Sequence, residues 1–175
     1  MKMNKLAAVV VMAMGISSFG AFAAGQGGGS IHFSGEVIDA PCSIAPDMAG
    51  GIDTPIDLGQ VSATQIAGGG QSVPVNFTID LQNCALDTAK TVTTTFTGAE
   101  SSAVPTLLGT TGTATGAAIQ LTEGNGTLVK LGTPTAPQAL QDGNNTIPFS
   151  AYVVGGTDVT AGNFSGVTDF TLAYP

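Results

Sequence analysis

Apolar and polar side chains alternate at a period of two residues in several parts of this chain. The clearest run has an apolar residue at every second position: Val73, Val75, Phe77, Ile79 and Leu81. Such alternation predicts a β-strand with one buried face. Residues 147–153 and 170–174 repeat the pattern, and no segment keeps a helical period over three turns. The chain is therefore predicted to be all-β.

Turn signals between these runs favour a sandwich of short strands. Residues 91–97 are rich in Thr and Val, which suit a half-buried pleated surface. Asn125-Gly126 lies between the apolar residues Leu121 and Leu128 and predicts a β-hairpin. Roughly six or seven short strands separated by such turns indicate an immunoglobulin-like β-sandwich.

Another alternating segment precedes the first cysteine. Its apolar face consists of Ile31, Phe33, Gly35 and Val37, and its polar face consists of His32, Ser34 and Glu36. A strand with one apolar face either packs on an edge of its own sheet or is offered to another molecule. The alternation alone leaves both possibilities open.

Residues 1–23 have the features of a secretory signal peptide. Lys2 and Lys5 form a basic start, and residues 6–14 are an apolar run too short to cross a bilayer. Ala21-Phe22-Ala23 fits a cleavage site, so we expect an exported mature chain that begins at Ala24.

The charge balance excludes several classes of function. The chain has 12 acidic and 4 basic residues and one histidine, and only 9% of its residues are charged. It therefore cannot neutralise a row of phosphates, which argues against a nucleic-acid partner. His32 has no partner cluster, so an enzyme is disfavoured. Asp47, Asp53 and Asp57 match no calcium-loop spacing, and we expect neither a metal nor a cofactor.

The two cysteines, Cys42 and Cys84, are predicted to form one disulfide. Disulfides are common in exported proteins, and two thiols with one distant histidine make a poor metal site. The bond would join the first strand to the end of the second.

Two separate motifs resemble the major pilins of chaperone–usher fimbriae, especially the P-type and mannose-resistant Proteus-like groups. Residues 33–44, FSGEVIDAPCSI, are similar to the start of such pilins. At the other end, Gly162 is fourteenth from the C-terminus, Phe170 and Leu172 alternate after it, and Tyr174 is penultimate, as in this family. Pro175 departs from the Gln that is usual there.

The resemblance implies an incomplete immunoglobulin-like β-sandwich that lacks its last strand. Residues 42–175 would form this domain, and residues 24–41 would form an N-terminal donor-strand arm. Such subunits polymerise by donor-strand complementation and exchange. The implied partners are identical subunits in a helical filament, a periplasmic chaperone, an outer-membrane usher, and minor and tip subunits. The implied location is the surface of a Gram-negative bacterium.

The resemblance also implies two sets of site residues. The donor strand would present Gly29, Ile31, Phe33, Gly35 and Val37. The groove motif, which the chaperone and the donor strand would contact, would consist of Gly162, Phe170, Leu172 and Tyr174. No catalytic, cofactor-binding or metal-binding residue is implied.

Two other functions are considered beside the shaft subunit. A tip adhesin of this family would need an additional receptor-binding domain, for which the chain is expected to be too short. A secreted hydrolase on a β-sandwich would need a nucleophile, a base and an orienting group, and the only histidine lies in the arm.

Overall fold

A computed structural model describes residues 30–35, 37–46, 55–87 and 90–175. The chain divides into two compact units, Met1–Val37 and Ile38–Pro175. The described residues of the first unit form neither helix nor strand. The predicted signal peptide and Gly29 lie outside the described residues. The rest of this section concerns the second unit.

The second unit consists mainly of β-strands, as the alternation predicts. Its strands are β1 (Ser43–Ile44), β2 (Val75–Cys84), β3 (Thr91–Thr97), β4 (Leu108–Gly109), β5 (Thr111–Gly112), β6 (Thr115–Glu123), β7 (Gln138–Ala139), β8 (Gly143–Thr160), β9 (Phe164–Ser165) and β10 (Asp169–Ala173). One short helix, α1 (Ala63–Ile66), continues into a 3₁₀ turn, Ala67–Gly69.

The strands form two antiparallel sheets and one small ribbon. The larger sheet has the order β1-β2-β8-β6-β4, the smaller has the order β10-β3-β7, and β5 pairs with β9. Phe149 of the larger sheet packs edge-on against Phe96 of the smaller, with ring centroids 5.0 Å apart. The core thus lies between two sheets, which confirms the predicted immunoglobulin-like sandwich.

The longest strand pair, β2 and β8, shows why the alternation is informative. Phe77 is opposite Phe149 and Ile79 is opposite Ile147, and all four side chains are buried. The predicted run began at Val73, but β2 begins at Val75, and Val73 is 76% exposed. Because Pro74 between them has no N–H, the ladder does not extend through that position.

The predicted hairpin is present after β6, with a longer loop than Asn-Gly alone suggests. Glu123 N–H donates to Thr127 O, so three residues, 124–126, form the loop. Gly126 has φ +85°, and its N–H donates to Glu123 O at 2.8 Å. A three-residue loop that ends in a left-handed glycine is the next most common hairpin connection.

The predicted disulfide between Cys42 and Cys84 is present, and both cysteines are buried. Cys42 directly precedes β1, and Cys84 is the last residue of β2. Because β1 has only two residues, its pairing with β2 is short, and the bond holds the chain at this position. By the chain-entropy account, closing a loop with a separation of 42 residues contributes about 4 kcal/mol.

Replacing both cysteines, Cys42→Ala with Cys84→Ala, is expected to lower the free energy of unfolding by about 2–5 kcal/mol. Urea unfolding of the purified exported protein measures this loss. Thiol alkylation of the unreduced parent protein is the control and should label nothing. A labelled thiol, or an unchanged urea midpoint in the double variant, would contradict the role assigned to the bond.

Candidate functional site

The outer edge of β10 carries no partner strand among the described residues. β10 pairs with β3 along one edge only, with Phe170 opposite Phe96 and Leu172 opposite Thr94. Its other edge presents backbone N–H and C=O groups that a further strand could pair with. This edge is the first element of the candidate site.

Residues 55–61 form the wall that faces this edge. They belong to no helix or strand, and among their described backbone groups only Gly59 N–H forms a hydrogen bond, to Asp57 Oδ1 at 2.8 Å. Ile56 and Leu58 are half-buried and pack against the core, whereas Asp57 and Gly59 are exposed. The segment thus has a strand-like alternation without a ladder.

Between the two walls lies an open groove, formed by two adjoining cavities of about 780 and 980 Å³. Residues 55, 56, 58, 119, 165 and 166 line both cavities. The floor of the 780 Å³ cavity consists of core residues from both sheets: Phe77, Ile79, Phe96, Leu108, Ile119, Leu121 and Ala151. The interior of the sandwich is therefore accessible from this groove.

Of the predicted groove motif, Gly162 and Phe170 line the groove, whereas Leu172 and Tyr174 line neither of its two cavities. Phe170, Leu172 and Tyr174 are half-buried and pack against the core, and Phe170 also lines the 780 Å³ cavity. Burial raises the pKa of Tyr174 above its usual value of 10.0, because a desolvated phenol resists ionisation. The alternate residues 169, 171 and 173 are exposed, so Phe170 and Leu172 share the inner face of β10, and Tyr174 follows directly after the strand.

Gly162 lies at the other end of the same wall and lines the 980 Å³ cavity. A Cβ atom at this position would be 2.6 Å from the carbonyl carbon and from Oγ1 of Thr113, and closer still to Ala114 N. Glycine is therefore required for the close approach of two backbone segments. Asn163 O accepts hydrogen bonds from Thr113 N–H and Ala114 N–H, which fixes this approach.

Gly166 is a groove residue that the sequence analysis did not identify. It lines both cavities, and a Cβ atom there would be 2.6 Å from Ile119 Cδ1 on the floor. No apolar alternation marks this glycine, and only its position between Gly162 and Phe170 could have indicated it.

The predicted donor residues are exposed in the first unit. Ile31 is 79% exposed, Phe33 is 90% exposed and Val37 is 101% exposed. Gly35 has no atom within 4 Å of its ideal Cβ position. Three large apolar side chains in water are an unfavourable arrangement for an isolated subunit, and burial against a partner would relieve it.

Comparison with known proteins agrees with this architecture. Residues 31–175 match the family described as "Fimbrial protein". The chain is 50% identical to the fimbria A protein of Serratia marcescens over 177 residues, with 99% of each chain covered. It is 44% identical to the major MR/P fimbria protein of Proteus mirabilis, also with 99% of each chain covered.

Solved structures agree as well. The crystal structure of the P pilus rod subunit PapA superposes with a TM-score of 0.67 and 32% identity, over 78% of this chain and all of that chain. The structure of a chaperone–usher pilus gives a TM-score of 0.72 with 35% identity, over 86% of this chain and 97% of that chain. The CupB6 tip adhesin of Pseudomonas aeruginosa gives a TM-score of 0.51 with 26% identity, over 61% of this chain and only 31% of that chain.

The immunoglobulin-like sandwich fold, shared with these pilus subunits, defines a pilin of the chaperone–usher class. The chain belongs to the fimbrial protein family. It is a structural subunit of a fimbria on the surface of a Gram-negative bacterium. Its partners are identical subunits and the chaperone–usher assembly machinery. No helix in the described part of the chain is long and apolar enough to span a membrane.

Proposed function

We propose that this chain is the major shaft subunit of its fimbria and that the arm of one copy fills the groove of the next. The supporting observation is a match between two surfaces. The groove exposes the core beside an unpaired strand edge, and the arm presents apolar side chains at every second residue. A strand added at this edge would pair its backbone with β10 and place alternate side chains over the floor.

The energies of these contacts are sufficient for a stable filament. Burying a large apolar side chain contributes about 1.5–3 kcal/mol, and Ile31, Phe33 and Val37 are almost fully exposed before association. Each net backbone hydrogen bond adds about 0.5–1.5 kcal/mol. A donor strand of this length therefore gains roughly 10 kcal/mol before the entropy of association is subtracted.

Gly35 lies on the same face of the arm as these three side chains. We propose that it passes over a shallow part of the groove, where a larger side chain would collide with the floor. The tight contact of Gly166 with Ile119 supports the presence of such a part, because the wall and the floor approach each other closely there.

We also propose that residues 1–23 are removed on export and that the chain has no enzymatic activity. His32, the single histidine, is exposed on the polar face of the arm. The described residues contain no group of three His, Cys, Asp or Glu side chains that could hold a metal ion. The mass of the intact filament protein would test both the mature start at Ala24 and the disulfide.

A tip adhesin is the second candidate, and the comparisons favour it less. The chain matches the PapA rod subunit over all of that chain, whereas it matches only 31% of the CupB6 tip adhesin. Electron microscopy of surface preparations separates the two functions, since a shaft subunit forms the bulk of long filaments and a tip subunit is a trace component.

Phe33→Asp is expected to reduce filament assembly at least about a hundredfold. The substitution would place an unpaired charge in the apolar groove, which costs several kcal/mol. The number of filaments by electron microscopy and the heat-resistant ladder of subunit multimers on a gel measure assembly. His32→Ala changes the adjacent residue on the polar face and should leave assembly nearly unchanged. Normal filaments from Phe33→Asp would show that Phe33 does not enter the groove.

Gly35→Leu is also expected to block assembly, in this case because the added side chain would collide with the groove. The same two assays measure the effect. Ser34→Leu is a matched control, since it adds the same side chain on the opposite face of the arm. If both leucine variants assembled equally well, the position of Gly35 over a shallow part of the groove would be wrong.

A second copy of residues 29–39, fused after Pro175 through a flexible linker, is expected to give a soluble and stable monomer. The fused strand would pair with β10 and cover the apolar floor, so the melting temperature should rise relative to the unfused mature chain. The same fusion carrying Phe33→Asp in the second copy is the control and should lose most of the gain. If the unfused chain melted at the same high temperature, the groove would not need a donor strand.

A further inference from the structure

The smaller sheet has two edges, and a strand added at either would extend it. One is the edge of β10, which borders the groove. The other is formed by residues 132–140, which run along β3 on the side opposite β10 and which we call the remote edge. Gly132 N–H donates to Phe96 O at its start, and Leu140 N–H donates to Lys90 O at its end. The remote edge is longer than the five residues of β10, so length does not explain why a strand would be added beside β10.

The remote edge is irregular at two dipeptides that end in proline. Successive contacts with β3 join residues 132, 135 and 138 to residues 96, 94 and 92. In each of these two intervals, three residues of the remote edge span two residues of β3. The additional residues fall in Thr133-Pro134 and Ala136-Pro137. Such β-bulges bend a strand and interrupt its ladder, which makes an edge less suitable for pairing.

The remote edge offers few backbone donors to an incoming strand. Pro134 and Pro137 have no N–H group, and Thr133 N–H already donates to a carbonyl oxygen of its own turn, at 3.2 Å. Ala136 N–H donates to Oε1 of Glu123, the last residue of β6, at 3.2 Å. This leaves the N–H of residue 139, which points away from β3 because that of the next residue points toward it.

Glu123 is a buried carboxylate whose position is explained by this edge. Its side chain is 5% exposed, and it forms no ion pair with any described residue. Burying a carboxylate is unfavourable unless hydrogen bonds stabilise it. Among the described residues, the hydrogen bond that its side chain accepts comes from Ala136 N–H. The carboxylate thus occupies a donor that an incoming strand would otherwise use.

The edge of β10 has none of these features. Its five residues, Asp169–Ala173, include no proline and pair with β3 one to one. The side chains of Phe170 and Leu172 pack against the core beside it. The two edges of one sheet therefore differ in kind, since one has a regular ladder and the other has bulges and few donors.

We propose that Pro134, Pro137 and the carboxylate of Glu123 close the remote edge, so that the smaller sheet accepts an incoming strand only beside β10. This specificity rests on the proposed donor-strand function, to which it adds a limit of one added strand per smaller sheet and hence an unbranched filament. The prolines remove two donors at the bulges. Glu123 is a positioning residue, because it acts by holding Ala136 N–H away from other chains. A strand laid along the remote edge would gain too few hydrogen bonds to remain there.

Self-association of the exported subunit, purified in complex with its periplasmic chaperone, tests the closure. The double variant Pro134→Val with Pro137→Val restores two N–H groups at exposed positions, so two copies should pair through their remote edges. We expect the Kd of self-association, measured by light scattering, to fall at least about tenfold, which corresponds to about 1.4 kcal/mol. Pro105→Val, in the exposed loop before β4, is the matched control and should behave like the parent.

Two variants of Glu123 test the function of its carboxylate. Glu123→Leu frees Ala136 N–H, so hydrogen exchange of the peptide that contains this amide should become at least about tenfold faster, and the complex should self-associate. Glu123→Gln keeps an acceptor oxygen and should restore both slow exchange and the unassociated state. A Glu123→Leu complex that exchanges faster but does not associate would show that the carboxylate only stabilises the fold, and would overturn its place in the closure.

The heat-resistant ladder of multimers separates this result from the donor-strand proposal, because it reports the link through the groove. Filaments of the double proline variant should keep the ladder, since β10 is unchanged. Double-variant complexes that associate no more than the parent, or no more than Pro105→Val, would overturn the closure, provided that the Cys42–Cys84 disulfide has formed. Where it has not, the single variants Pro134→Val and Pro137→Val decide by the same measurement. Normal assembly of Phe33→Asp would overturn the donor-strand proposal and leave the self-association result unchanged.

Discussion

The structure depends on a single constraint: the edge of β10 borders an apolar groove whose floor is the core itself. In a closed sandwich a last strand would pair with this edge and cover Phe77, Ile79 and Phe96. Here the described subunit leaves that space open. Under the donor-strand proposal, the free energy that completes the core comes from another copy, so folding to full stability and assembly into a filament become parts of one process.

Strand pairing, the disulfide and close backbone contacts hold the remainder of the sandwich in place around this groove. The central strands β2, β8 and β6 are paired on both sides, and the disulfide attaches the short β1 to the end of β2. On the groove wall, Gly162 lies against residues 113–114 and Gly166 lies against Ile119. These close contacts hold the wall near the floor without filling the space that an incoming strand needs.

The sequence predicted what depends on local alternation and missed what depends on contacts between distant segments. The strands β2, β8 and β10 follow from period-two patterns, β3 follows from its Thr- and Val-rich composition, and the disulfide follows from two cysteines in an exported chain. In β6, by contrast, residues 117–123 are all buried. Gln120 is covered because its Nε2 donates to Val129 O on the returning hairpin. No local pattern in the sequence reveals that Gln120 is buried in this way. No local pattern shows either that residues 55–61 pair with no neighbouring strand.

The proposed donor-strand link has a physical origin that makes it insensitive to salt. It would bury apolar side chains and form backbone hydrogen bonds, together worth roughly 10 kcal/mol before association entropy is subtracted. Salt screens interactions between exposed charges and affects the burial of apolar side chains little. Because Ile31, Phe33 and Val37 carry no charge, the acidic composition of the chain would weaken the link through the groove little, although it makes the surfaces of neighbouring copies repel each other.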